Sequence, residues 1–395
     1  VGFARLSFAF IAVGVLALTG QARAGAFATA ADVALIEDYD TGAILYEKNA
    51  DEPTPPASTA KLLTAEIVFR QLKEGRLHLD DVFEVSEKAW REGGAHAHGA
   101  AMFLAVHSQV RVEDLLRGLL VQSGNDAAMT LAEGIGGTED NFADIMNKRA
   151  AELGMAHSHF ANSRGKADPS QNVTARDMAL LARHVIRDDQ EYYHYFAEKD
   201  FTWNKIHQLN RNPLLTMGLG ADGLKAADNG DGGFGLVGTA VQNGQRLIVV
   251  MYGLKSAGDR AEEARKLFDY GFHSFDRRTV FEAGQTIGAA SVYGGQSGEV
   301  PLVSERPIAL FVPRGESHKL VAKIVYMGPL SAPVEKGQDG ARLKIWRDDM
   351  LVVDSPLTTG ASVALGGLAK RAFDAGIELA GDAVRNALRQ ALSHK

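Results

Sequence analysis

Pro56-Ala57-Ser58-Thr59-Ala60-Lys61-Leu62-Leu63-Thr64 ends a proline-broken stretch and opens the first long helical pattern of the chain. Pro53, Pro55 and Pro56 interrupt what precedes it, and an apolar stripe at Leu62, Leu63, Ile67, Val68 and Leu72 predicts a helix beginning near Ser58. On one helical face Ser58 and Lys61 can hydrogen-bond. A serine hydroxyl is a poor nucleophile until a base takes its proton, and a lysine does this only as the neutral amine. Burial and a second nearby cation both lower a lysine pKa, so this pairing calls for another lysine in the same pocket. Alone the spacing is weak, because a serine ahead of a helix is most often just a cap.

Outward from this stretch, residues 33–38 and 43–46 are short apolar runs around Asp40-Thr41-Gly42, which predicts an opening β-hairpin. Helical patterns dominate 112–186, 201–215 reads as irregular, and strands are expected at 223–224, 235–242 and 246–253. Asp228–Gly233 and Asn243-Gly244 read as turns, and 260–270 as an amphipathic helix. Ser123-Gly124-Asn125 lies between an apolar helix over 115–121 and a second helix starting near Asp126. Such a joint can project Ser123 and Asn125 into a cleft; the plain alternative is a capped turn. Lys225, after Asp222-Gly223-Leu224, could supply the second cation, or could simply face solvent.

Ser-x-x-Lys, then Ser-x-Asn, then a lysine on a late strand resembles the motif order of penicillin-binding proteins and class A β-lactamases. The neighbouring residues narrow the likeness. The 56–64 stretch, Ser123-Gly124-Asn125-Asp126-Ala127, Met146-Asn147, Leu153-Gly154-Met155, Thr174-Ala175-Arg176-Asp177-Met178-Ala179, Asn210-Arg211-Asn212 and Asp222-Gly223-Leu224-Lys225 all resemble the low-molecular-weight D-alanyl-D-alanine carboxypeptidases. The resemblance runs from about Val33 to Tyr270-Gly271-Phe272 and continues more loosely to Ala332-Pro333-Val334-Glu335-Lys336-Gly337.

It implies an α+β fold: an antiparallel sheet flanked by helices with a helical subdomain, as in β-lactamases and transpeptidases. It also implies a serine peptidase that removes the terminal D-alanine of peptidoglycan pentapeptides, needs no cofactor or metal, and takes β-lactams as covalent inhibitors. Ser58 would be the acylated nucleophile, Lys61 its base and Ser123 a proton relay to the leaving D-alanine. Asn125 would hold the substrate amide, Lys225 would complete the electrostatics, and the backbone N–H groups of Ser58 and of the strand after Lys225 would bind the oxyanion. Arg260, in Gly258-Asp259-Arg260-Ala261-Glu262, is the family-like cation for the substrate carboxylate. Arg211 is a second candidate, or a structural arginine tying its loop together.

Two stretches depart from the family pattern. Lys225-Ala226-Ala227 stands where the family has Lys, then Thr or Ser, then Gly, and Asp228 adds a negative charge. Loss of the hydroxyl removes a charge-assisted hydrogen bond worth on the order of 1.5–3 kcal/mol. Asn162-Ser163-Arg164-Gly165-Lys166 also lacks the usual Gly-Leu pair. An inactive murein-binding scaffold is the alternative these changes favour; a β-lactamase is another, although the Glu motif that activates a deacylating water is missing.

Composition bounds the rest. The 395 residues allow two domains; a net charge of −7 argues against a nucleic-acid partner, and the absence of cysteine excludes disulfides, a thiol nucleophile and Cys-ligated zinc. His96 and His98, set among glycine and alanine without a third ligand, predict a loop and no metal site. Arg5 and the apolar run 6–18, followed by Ala22-Arg23-Ala24 and Ala26-Phe27-Ala28, predict a cleaved secretory signal over 1–24 and an exported, periplasmic protein. The catalytic domain is expected over 32–275, with order beginning near Asp32, and a β-rich domain over 276–358. In the latter, 308–312, 319–327, 341–347 and 351–356 alternate apolar with polar residues. Over 360–395 an amphipathic helix places Phe373, Ile377, Ala380, Val384, Leu388 and Ala391 on one face, to lie on a membrane surface or to pack on protein.

Overall fold

Strand β1 (Val33–Asp38) is buried along its whole length, as a strand must be when both faces of its sheet are covered. The computed structural model describes residues 27–230, 233–315 and 318–372. They form a larger unit within 27–274 and a smaller one from Phe275 onward.

In the larger unit β1 pairs with β2 (Ile44–Lys48). Helix α1 (Lys61–Lys73) follows, preceded by a 3-10 turn over Ala57–Ala60; the helix therefore starts at Lys61, and Ser58 sits in the tighter turn before it. A short ribbon of β3 (Val82–Glu84) and β4 (Gln109–Arg111) leads into four helices: α2 (Val112–Leu120), α3 (Asn125–Gly136), α4 (Glu139–Glu152) and α5 (Ala175–Asp188). Residues 201–215 are not irregular. They hold most of a hairpin, β5 (Asp200–Trp203) with β6 (Ile206–Leu209), and the start of a 3-10 turn at Pro213–Thr216.

Strands β7 (Ala221–Gly230), β8 (Gly233–Gln242) and β9 (Gln245–Leu254) complete an antiparallel sheet of order β2-β1-β9-β8-β7. Helix α6 (Ala257–His273) closes the unit. Neighbouring residues of β1 show that the sheet is covered on both sides. A Cβ on Gly271 of α6 would lie 3.1 Å from Ile36 Cγ2, while the next residue, Glu37, accepts from Arg183 Nε of α5 at 2.8 Å. Asp228, expected in a turn, lies within β7. A register irregularity after Ala227 carries the strand on to Gly230.

As far as Thr359 the smaller unit is built of strands: β10 (Phe275–Phe281), β11 (Thr286–Tyr293), β12 (Glu299–Val303), β13 (Ile308–Pro313), β14 (Leu320–Val325), β15 (Leu330–Ser331), β16 (Asp339–Arg347) and β17 (Met350–Thr359). β10 pairs with β13, and the other six form a sheet of order β14-β16-β17-β12-β11-β15. Its core is aliphatic, from Ile287 and Val300 to Leu357 and Val363. The sequence pattern marks β13, β14, β16 and β17 and passes over the other four.

The chain is helical again over 368–372, where the described residues end, so the remainder of the amphipathic stretch lies outside them, as does the secretory signal. Among the described residues no helix is long and apolar enough to cross a membrane. Order begins earlier than Asp32. Phe27 stacks on Tyr270 with ring centroids 3.8 Å apart, and Thr29 Oγ1 donates to Glu263 Oε2 at 2.5 Å.

Candidate active site

The turn bearing Ser58 is held from several directions. Thr59 Oγ1 donates to Pro56 O at 2.6 Å and meets the buried Tyr252 hydroxyl at 2.9 Å. Ala57 takes a left-handed φ of 45°, a conformation non-glycine residues adopt only when their surroundings enforce it. Gly165 backs onto it so closely that a Cβ there would sit 1.7 Å from Ala57 O. The 162–166 loop is fixed in turn: Thr64 Oγ1 donates to Ser163 O at 2.7 Å, and Ser163 Oγ to Glu139 Oε1 at 2.8 Å.

One turn on from Ser58, Lys61 is fully buried. Its Nζ lies 3.2 Å from Ser58 Oγ and donates to the Arg164 carbonyl at 2.6 Å. Burial pushes its pKa well below the usual lysine range, and the charges of Lys225, Arg164 and Arg211 push the same way against a weaker pull from Asp126. The amine thus has the neutral form available to accept a proton.

Ser123 and Asn125 occupy the joint between α2 and α3. Ser123 has a left-handed φ of 64° and a buried Oγ without a hydrogen-bond partner among the described residues. Neither residue caps α3, whose N-cap is Gly124 without a side-chain bond. Asn125 N donates to Ala100 O at 2.7 Å, and Gly99 passes so near the Asn125 amide that a Cβ there would lie 2.7 Å from its nitrogen. The adjoining Asp126 fixes that covering loop, accepting from Met102 N at 2.9 Å and Leu104 N at 3.1 Å.

Lys225 does not face solvent. It is 2% exposed on β7 and its Nζ donates to Leu120 O, at the end of α2, at 3.2 Å. Burial brings its pKa down to about 7; Asp228 opposes the shift, while Arg211 and Arg260 add to it.

The two arginines expected at the substrate carboxylate converge on one protein carboxylate. Arg260 Nη1 hydrogen-bonds Asp228 Oδ1 and donates to Ala227 O at 2.9 Å, and Arg211 Nη1 donates to Asp228 Oδ2 at 3.1 Å. Although burial raises the Asp228 pKa, Arg260 and then Arg211 outweigh it and hold the group below the usual carboxylate range. Arg211 also ties its loop to the joint, its N–H donating to Val121 O at 3.1 Å.

Sequence reading passed over Arg164 as a site residue. Its carbonyl receives Lys61, and its buried guanidinium donates to Glu92 O at 2.8 Å and Glu92 Oε2 at 3.1 Å. The one signal was its place in the departing 162–166 stretch; nothing in the sequence pointed to Glu92. His96 lies in an exposed turn at Ala95–Ala97. Among the described residues, Glu66, His184 and Asp189 bring possible metal ligands within 4.8 Å of one another. Arg149 Nε bonds both Glu66 oxygens at 2.9 and 3.0 Å, and Lys73 holds Asp189 at 2.8 Å, so protein cations already meet that charge.

Residues 20–256 match the D-alanyl-D-alanine carboxypeptidase family, and residues 275–364 match the C-terminal domain of penicillin-binding protein 5. The D-alanyl-D-alanine carboxypeptidase DacC of Escherichia coli is 36% identical over 343 residues, spanning 86% of each chain. Penicillin-binding protein 5 from Haemophilus influenzae superposes with a TM-score of 0.73 at 35% identity, covering 86% of this chain and 99% of its own. The ampicillin-bound form of penicillin-binding protein D2 from Listeria monocytogenes covers 62% of this chain and 98% of its own at 29% identity, with a TM-score of 0.54. A family match across more than half of the chain, with relatives aligned over most of their length, makes this protein a member of the D-alanyl-D-alanine carboxypeptidase family.

Proposed function

We propose that the protein removes the C-terminal D-alanine of peptidoglycan stem pentapeptides through an acyl-enzyme on Ser58. The observation that carries this reading is the contact of a buried, pKa-depressed Lys61 with Ser58 Oγ at 3.2 Å. Lys61 takes the hydroxyl proton as Oγ attacks the penultimate D-alanine carbonyl. The oxyanion that forms is held by the N–H of Ser58 and one from β7. When the C–N bond breaks, the departing amine takes a proton by way of Ser123, whose free hydroxyl suits a relay. Asn125 orients the peptide amide and Lys225 stabilises the developing negative charge. Water then attacks the ester and releases the shortened peptide. A β-lactam enters by the same first step and stops at the ester, as fits a family with an ampicillin-bound member.

Export to the periplasm follows from the basic-then-apolar start of the chain, and the amphipathic stretch beyond Ala372 is proposed to rest on the outer face of the cytoplasmic membrane. Ser58→Ala tests the central claim. Fluorescent penicillin should label the wild type rapidly and stably and leave the variant unlabelled, with an unchanged melting curve. Undiminished labelling of Ser58→Ala would remove Ser58 as nucleophile, and rapid turnover of the label would indicate a β-lactamase. In Lys61→Ala, acylation should fall by at least roughly a hundred-fold, the lower end of what a positioned base supplies.

A further inference from the structure

The carboxylate of Asp228 is bound as a ligand would be. Each of its oxygens accepts from a different arginine, Oδ1 from Arg260 and Oδ2 from Arg211. Arg260 has 6% of its side chain exposed, so its charge is met chiefly from within the protein. It is confined by the Phe234 ring 5.7 Å away and by the Ala227 carbonyl. The register irregularity after Ala227 releases β7 from strict alternation and lets Asp228 reach both arginines. The arrangement also stands three residues from Lys225 on the same strand, close enough that Asp228, Arg211 and Arg260 all act on the charge of Lys225.

We propose that Asp228 is a built-in stand-in for a substrate's terminal carboxylate, and so a specificity-determining residue that shifts this site from free-acid peptides toward peptides with an uncharged C-terminus. An incoming D-Ala-D-Ala acid must either displace Asp228 from both arginines or lie beside a like charge. A D-Ala-D-Ala carboxamide pays neither cost, and its leaving group departs as neutral D-alaninamide through the same acyl transfer, with the C–N bond broken and the amine protonated. The inference rests on the carboxypeptidase reading, but its test does not need turnover.

Calorimetry in the Ser58→Ala background measures binding of an acetylated tripeptide ending in D-Ala-D-Ala, as the free acid and as the carboxamide. Asp228→Asn, which keeps the shape and removes the charge, should tighten the acid at least ten-fold and leave the amide within two-fold. Asp228→Ser serves the same purpose should the Asn variant unfold, as read from its melting curve. An acid-to-amide affinity ratio that stays constant across the series overturns the proposal. So does acid binding that weakens, or stays undetectable, once the charge is gone, since Asp228 would then be a clamp that positions the arginines. Penicillin labelling of the Ser58 protein is read separately, so a non-acylating enzyme and a misassigned Asp228 give different patterns.

Discussion

A lysine sealed into a protein interior gives up its proton more readily than it gives up its packing. Lys225, 2% exposed, sits at a pKa of about 7 in the fold, against about 10.4 in an unfolded chain. Between those values the unfolded state holds a proton that the folded state lacks, so stability rises with pH across that window. Below about 7 both states are protonated and the full penalty of burying the ion remains. Lys225→Met has no such proton. Its stability advantage over the wild type, from urea unfolding, should therefore be largest below about pH 7 and shrink steadily from there toward about pH 10. The loss of the bond to Leu120 O is the same at every pH and cancels from the trend. Parallel stability curves would mean that Lys225 is protonated in the fold. None of this was readable at position 225, because the carbonyl that receives its amine lies at the end of α2, 105 residues away. The Ser58–Lys61 pair was readable, because both members lie within one turn of chain.

At the scale of the element, the proposed grip on a substrate acid falls to β7. Ala226 and Ala227 are both buried, opposite Leu236 and Gly235 of β8. Ala226→Thr would restore a hydroxyl donor, and Ala227→Gly would let a peptide backbone approach the strand. A charge-assisted bond of that kind, strengthening in the transition state, corresponds to roughly ten- to a hundred-fold in rate. The double variant should gain that factor in kcat/KM on a D-Ala-D-Ala peptide and lose slightly in Tm, since glycine raises the entropy of the unfolded chain. Equal, high activity in both proteins would show the alanine pair to be a tolerated variation, and no activity in either would favour a murein-binding scaffold. The same strand shows where sequence reading stops. Alternation and apolar runs gave β8 and β9 nearly whole, because both are central strands. The run Asp228-Asn229-Gly230 has turn composition, yet continues as strand because pairing with β8 overrides local preference. The β5–β6 hairpin escaped for a similar reason: Lys205-Ile206-His207-Gln208 has too little apolar contrast to announce a strand.

At the scale of the whole molecule, the described residues constrain what the two flanking stretches can do. Cleavage after Ala28 would discard Phe27, whose ring stacks on Tyr270, meets Tyr46 edge-on with centroids 5.0 Å apart, and lies under Lys266 Nζ. Cleavage after Ala24 keeps it, so the mature N-terminus should be Gly25 by intact mass, and a protein beginning at Thr29 should melt at lower temperature. At the other end, a cut after Gly360 would be a poor test of membrane contact. It would remove Val363, buried in the β core and bonded both ways to Val334, and Gly366, whose N–H donates to Gly294 O at 2.9 Å. A cut after Ala372 spares all of these while deleting the apolar stripe of Phe373, Ile377, Val384 and Leu388. Charges opposite the apolar stripe nearly cancel in the sequence, so attachment by this stretch would rest on apolar burial more than on attraction to anionic lipid. Truncation after Ala372 should therefore move the exported protein from the membrane to the soluble fraction, whereas high salt alone should leave the full chain in place. Penicillin labelling and Tm should be unchanged, because every described core residue is retained. Unchanged fractionation with a lowered Tm would place the helix against the protein instead.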